Sequence, residues 1–145
     1  MSWKDYFIKK QEPEPPRKDK LKLIRESDND AHKDMPKLIL DGSTITIKGK
    51  AIPEFPHKLW PPLLEEIDIF MSNKKDVIVE FEIDYFNSGS SRYVTGMFLI
   101  FQDHYPECKT TVNWYIDEKD EKHEANFEII RDSHPKVKVN LIVRQ

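Results

Sequence analysis

The chain has 145 residues, enough for one domain with a hydrophobic core and too few for two comfortable ones. Its 23 basic and 26 acidic residues are spread along the whole sequence and leave a net charge of -3, so no strong field gathers nucleic acid. The single cysteine, Cys108, excludes an internal disulfide and a cysteine-based structural zinc site. No run approaches the roughly 20 apolar residues of a membrane span, and MSWKDYFIKK lacks a signal-peptide core, so a cytoplasmic protein with neither nucleic acid nor membrane as partner is the simplest expectation.

Residues 1–36 combine proline with dense charge of both signs, as in QEPEPPRKDK and RESDNDAHKDMP, a composition that buries little and predicts an extended or mobile tail. Within it Trp3, Phe7 and Tyr6 can share one face of a helical turn. The simplest expectation for them is a weakly ordered terminus packed on its own domain, with a docking element as the alternative. The folded domain is expected over 37–145.

From Leu38 the pattern sharpens. LIL, the turn Asp41-Gly42-Ser43 and the alternation Thr44-Ile45-Thr46-Ile47-Lys48 predict a β-hairpin. After a proline-rich connection, Leu59, Leu63, Leu64, Ile67 and Phe70 fall on one face of an amphipathic helix whose regular part is expected to start at Pro61-Pro62. Val77–Ile83 is rich in branched and aromatic residues and predicts a buried strand. Ser91–Tyr105 carries Val94, Met97, Phe98 and Phe101 at helical spacing before Pro106. A strand over Thr110–Ile116, an acidic loop and helix over Asp117–Arg131 and a strand over Val137–Val143 complete the chain. A hairpin followed by alternating helices and strands predicts a single α/β domain, a mixed sheet with amphipathic helices packed on it. In such sheets functional groups gather at the carboxyl ends of strands, where loops lead into helices.

One such end carries Asp84-Tyr85-Phe86-Asn87-Ser88-Gly89-Ser90-Ser91-Arg92. The order Asn87-Ser88-Gly89-Ser90-Ser91 does not match the Gly-x-Ser-x-Gly of a nucleophile elbow, and the scattered His57, His104, His123 and His134 supply no recognisable triad. With four glycines the chain has neither a phosphate-cradling P-loop nor a dinucleotide loop. The acidic run Asp117-Glu118-Lys119-Asp120-Glu121 lacks calcium-loop spacing, and His123-Glu124 lacks the second histidine of a zincin, so neither a metal nor another cofactor is expected. Asn, Ser and Gly suit a helix start, because a side-chain oxygen there accepts a bond from an unpaired first-turn amide. One cap would suffice, and the corner holds several candidates. A phosphate there would meet backbone amides and the positive end of the helix dipole, so a phosphorylatable switch is physically reasonable without the physics selecting the serine.

Three segments carry a family resemblance. Asp84–Arg92 resembles a Tyr-Phe-Asn-Thr-Ser-Ser-Ser-Lys signature, Val112–Glu121 resembles a Trp-Tyr-Tyr-Asp-Glu-Asp-Asp-Glu type run, and Ile47–Pro56 is similar to an opening Gly-x-Ser-x-Pro-Glu-Asn segment. All belong to the SiaC family of bacterial regulatory phosphoproteins, and the resemblance covers roughly residues 38 to 143. It implies a STAS-like fold and a non-enzymatic partner switch in c-di-GMP and biofilm signalling. In SiaC-like systems a SiaB-like protein kinase phosphorylates a hydroxyl at the corner, a PP2C-type phosphatase removes the phosphate and the dephosphorylated form binds an effector such as a diguanylate cyclase, and the resemblance implies the same here. Carried over by position, the phosphoacceptor is Ser88, where the family has threonine, with Ser90 as the alternative. Asn87, Gly89, Ser91 and Arg92 form its setting, Gly89 standing for a serine and Arg92 for a lysine. Trp114, Asp117, Glu118, Asp120 and Glu121 are expected to form a nearby surface for a partner. The rival expectation from a different class is a small-molecule or nucleotide-phosphate binding module using the same helix start.

Overall fold

A computed structural model describes residues 3–8, 34–118 and 120–145, with Ile8 and Glu121 described by backbone alone. The tail expected over 1–36 therefore lies outside the described residues from 9 to 33. The described elements are α1 (Trp3–Ile8), β1 (Lys37–Asp41), β2 (Thr44–Ala51), α2 (Pro56–Met71), β3 (Asp76–Phe86), α3 (Ser88–Asp103), β4 (Lys109–Asp117), α4 (Glu121–Ser133) and β5 (Lys138–Arg144). The strands form one five-stranded sheet in the order β1-β2-β3-β4-β5.

The predicted hairpin forms one edge of the sheet. Gly42 takes a φ of 61°, a left-handed conformation that costs glycine little, and β1 returns antiparallel as β2 with Asp41 opposite Thr44. Each later strand is parallel to its neighbour, as the alternation predicts. Right-handed crossovers that step in one direction place their helices on one face of the sheet. That face carries Ile45 and Ile47, Val77, Val79, Phe81 and Ile83, and Val112, Trp114 and Ile116, all buried. The opposite face presents Ile78, Glu80, Glu82 and Tyr115 at intermediate or higher exposure.

Several boundaries differ from expectation: β2 runs on to Ala51, α3 spans Ser88–Asp103 in place of Ser91–Tyr105, and two further differences have a tertiary cause. Helix α2 begins at Pro56 rather than at Pro61-Pro62, which lie inside it. Those two prolines leave the carbonyls of the first turn without helical partners. The helix continues through them because Trp60, Pro62, Leu63 and Leu64 are all buried. Burial of that face outweighs the lost backbone bonds, since most helical stability in proteins comes from packing an apolar face. Leu59 and Phe70 are only half-buried at its margins.

Strand β3 runs three residues past Ile83, to Phe86, because β2 pairs with it across a register shift at Gly49, whose φ is 116°. Gly49 faces Ile83 and Lys50 faces Tyr85, so Asp84 is the extra residue of a bulge. The bulge inverts the alternation beyond it. Tyr85 turns outward at 53% exposure, while Phe86, opposite the buried Ala51, turns in toward the helices.

In the core Phe81 and Trp114 have ring centroids 4.2 Å apart, and Phe98 packs on both. Phe81→Ala is expected to cost about 3–5 kcal/mol of unfolding free energy in a urea titration. Ile78→Ala, three residues earlier on the opposite face, should change it by no more than about 0.5 kcal/mol.

Candidate functional site

The serine corner is the last residue of β3 and the first turn of α3. Asn87 is the N-cap: its Oδ1 accepts from the Ser90 amide at 2.9 Å, its Nδ2 donates to the Pro53 carbonyl at 3.3 Å, and its own amide donates to the Ala51 carbonyl at 3.0 Å. One residue thus joins the ends of β2 and β3 to the start of α3. Gly89 lies against the first turn of α2, where an added Cβ would sit 3.0 Å from Pro56 Cγ.

The three serines have different surroundings. Ser90 is fully buried and its Oγ accepts the Trp60 indole N–H at 2.8 Å. Ser91 is exposed, and its Oγ donates to the Ser88 carbonyl at 2.8 Å. Ser88 is exposed at the first position of α3, and its hydroxyl has no partner among the described residues. The amides of Ser88 and Gly89 head the helix without a backbone acceptor among the described residues, at the positive end of the helix dipole.

The acidic run lies at the carboxyl end of the neighbouring strand. Asp117 ends β4 and is exposed, as is Glu118. Asp120 caps α4 by accepting the His123 amide at 3.0 Å, and Glu121 opens that helix, its side chain outside the described residues, as is the whole of Lys119. Trp114 differs from the expectation for a partner surface. In-out alternation along β4 turns it into the core at 0% exposure, so the outward face of this run is left to the carboxylates.

The buried indole instead positions His123, donating from Nε1 to Nε2 of that ring at 3.0 Å. An Nε2 that accepts this bond is unprotonated. Burial pushes the His123 imidazole below its ordinary value of 6.5, against the pull of Asp120, Asp84 and Asp117. On the open face of the sheet, Arg144 draws the strand ends together, reaching Asp84 at 3.0 Å, Glu82 at 3.4 Å and Asp117 at 3.6 Å.

The two sequence motifs meet around Phe86 and Asn126. A cleft of about 280 Å³ runs past Ser91, Arg92, Phe86, Asn126 and Ile129, and a smaller one of about 40 Å³ continues past Phe86 and Asn126 to Asp84, Asp120 and His123. Phe86 stood inside the signature; Asn126 and Ile129 carried no sequence signal, since α4 brings them in from a segment that read only as polar helix. Two of the other imidazoles are engaged elsewhere, His104 with Asp68 at 2.7 Å and His134 with the Ile130 carbonyl at 2.8 Å, while His57 is exposed with its ring edge-on to Phe55. Cys108 is buried beyond the far end of α3, where burial pushes its thiol up. No group of three potential metal ligands and no helix long and apolar enough to cross a membrane occurs among the described residues.

A half-covered α/β sheet that gathers a solvent-facing hydroxyl, first-turn amides and an acidic rim at one end is an arrangement suited to recognition and modification. The chain belongs to the SiaC family of regulatory phosphoproteins, whose sequence profile matches residues 30–144. The fold is similar to that of a chain in the crystal structure of the diguanylate cyclase SiaD in complex with its activator SiaC from Pseudomonas aeruginosa, with a TM-score of 0.68 and 15% identity over 77% of this chain and 93% of that one. It is also similar to apo-SiaC from the same organism, with a TM-score of 0.61 and 13% identity over 77% and 92% of the two chains. Comparison with the curated proteins finds no match.

Ser90→Ala is expected to cost about 1–3 kcal/mol in a urea titration, because it leaves the Trp60 N–H buried and unbonded. The depressed His123 ring gives a second expectation. Its contribution is complete above its unfolded value of 6.5 and is lost as the pH falls toward the folded value, since only the unfolded ring takes the proton in that interval. Stability should therefore drop below about pH 6.5 by at most about 1.4 kcal/mol per unit from this group, and urea titrations should show a shallower drop in His123→Asn.

Proposed function

We propose that this chain is a non-enzymatic signalling switch whose phosphoacceptor is Ser88. A SiaB-like protein kinase places the phosphate, a PP2C-type phosphatase removes it, and the dephosphorylated form binds an effector such as a diguanylate cyclase, all in the cytoplasm. The observation that carries the choice of residue is the contrast at the corner. Ser88 is exposed with its hydroxyl unengaged among the described residues, while Ser90 is buried on Trp60 and Ser91 is bonded to the Ser88 carbonyl. A phosphate on Ser88 adds roughly two negative charges beside first-turn amides and the positive helix end, where an anion is favoured.

The effector surface in this reading is the corner together with the neighbouring rim of Asp117, Glu118, Asp120 and Glu121. A new dianion changes the charge of a face that already carries these carboxylates, and like-charge repulsion then weakens a partner that tolerates the neutral serine. Support for an effector of the cyclase class comes from the similar fold in the SiaD–SiaC complex.

The protein incubated with its kinase and ATP should gain one phosphate, mapped to Ser88 by mass spectrometry. Ser88→Ala should abolish it while changing thermal stability by no more than about 0.5 kcal/mol, since Asn87 and not Ser88 caps the helix. Phosphate absent from Ser88 would overturn the reading. Strong stabilisation of the unmodified protein by free nucleotides in a thermal-shift assay would favour a phosphate-ligand module instead.

A further inference from the structure

Helix α1 lies outside the part of the chain that matches the family, yet it is seated on the domain. Trp3 and Phe7, four residues apart on one face, are 7% and 6% exposed. The Trp3 amide donates to Asp103 at 3.0 Å and its indole N–H to Asp68 at 3.2 Å, so both helices beneath it, α2 and α3, hold one end. At the other end the Phe7 ring stacks on Tyr93, with centroids 4.9 Å apart, over a notch that exists because residue 96 is glycine. A Cβ on Gly96 would lie 2.6 Å from Phe7 Cζ.

Arg92 flanks the same stack, its guanidinium carbon 5.3 Å from the Phe7 centroid and 5.4 Å from that of Tyr93. Those distances are within the range of a favourable cation–π contact. Arg92 is four residues after Ser88 on α3, so the two side chains are neighbours on one helix face. A guanidinium binds a phosphate through two charge-assisted hydrogen bonds, which outcompete its hold on an aromatic face.

We propose that the groove between α2 and α3 is a receptor for a helix bearing aromatic residues four apart, that α1 fills it in cis, and that a phosphoryl group on Ser88 empties it by drawing Arg92 off Phe7. The inference rests on Ser88 being the modified residue. It assigns Arg92 as the relay, Gly96 as the floor of the groove, and Asp68 and Asp103 as the anchors for the helix start.

The test uses the full chain with fluorinated tryptophan, observed by fluorine NMR. Trp3 reports the seating of α1, and Trp114, buried in the core, reports the fold. Gly96→Ala, which excludes Phe7 while suiting a helix interior, sets the position of the undocked Trp3 signal. Phosphoserine is installed at position 88 during translation, so no kinase is needed. The docked-to-undocked ratio should fall roughly tenfold with phosphoserine and roughly tenfold in Arg92→Gln, and adding phosphoserine to Arg92→Gln should lower it no further. An unmoved Trp3 signal overturns the proposal, as does an undiminished effect of phosphoserine in Arg92→Gln or a shift of Trp114 that reveals general unfolding. A kinase that modifies another residue would sink the switch reading above while leaving this coupling measurable.

Discussion

The organising constraint is the one-residue slip between β2 and β3 at Gly49. Side chains along a strand alternate between faces with a period of two, so a single extra residue inverts everything beyond it. Before the slip Phe81 and Ile83 point into the helix-covered core; after it Tyr85 points away and Phe86 points in. Asn87 then arrives over the end of β2, where the Ala51 and Pro53 carbonyls accept its two donors. Without the slip the cap of α3 would face the wrong side of the sheet, and the first turn of that helix would lose its contact with Pro56.

From this corner an unbroken chain of contacts runs through the helical layer. Ser90 accepts from Trp60, the Trp60 ring lies parallel to Tyr93 with centroids 6.1 Å apart, and Tyr93 stacks on Phe7. Aromatic pairs of this kind contribute about 0.5–1.5 kcal/mol each beyond the area they bury. Their direction matters as much as their size, because the stack links the start of α3 to a helix from the far amino-terminal end of the sequence. The acidic side is organised differently. There Arg144 compensates the carboxylates of β3 and β4 on the open face, and the buried His123 fixes the start of α4 through Trp114.

Much of the fold was legible because local pattern and tertiary environment agree. Branched runs became strands, and Val94, Met97, Phe98 and Phe101 became the buried face of α3. Disagreement arose where a distant partner decides. Pro61-Pro62 read as a helix start because proline chemistry is local, whereas burial of Trp60 and Leu63 is not. The end of β3 was misread because its last pairs depend on a bulge opposite Gly49. At the site, the composition of the corner and the acidic rim was visible, but the division of labour among the serines was not: Ser90 differs from Ser88 only because Trp60, thirty residues earlier, points at it. Trp114 could have been assigned to the core from the alternation of β4, in which Val112, Trp114 and Ile116 share a face.

The three bonds of Asn87 have a consequence for any enzyme that acts on Ser88. They hold the backbone on both sides of the residue, in a strand end and a helical turn, so the hydroxyl is presented on a closed shape and not on a pliable strand of peptide. A catalyst that threads its substrate through an extended cleft would have to unwind α3 and break the cap before reaching the oxygen. Recognition at this corner therefore selects for a partner with a concave surface matched to the folded domain, and short peptides copied from residues 84–92 would be poor substitutes for the whole protein.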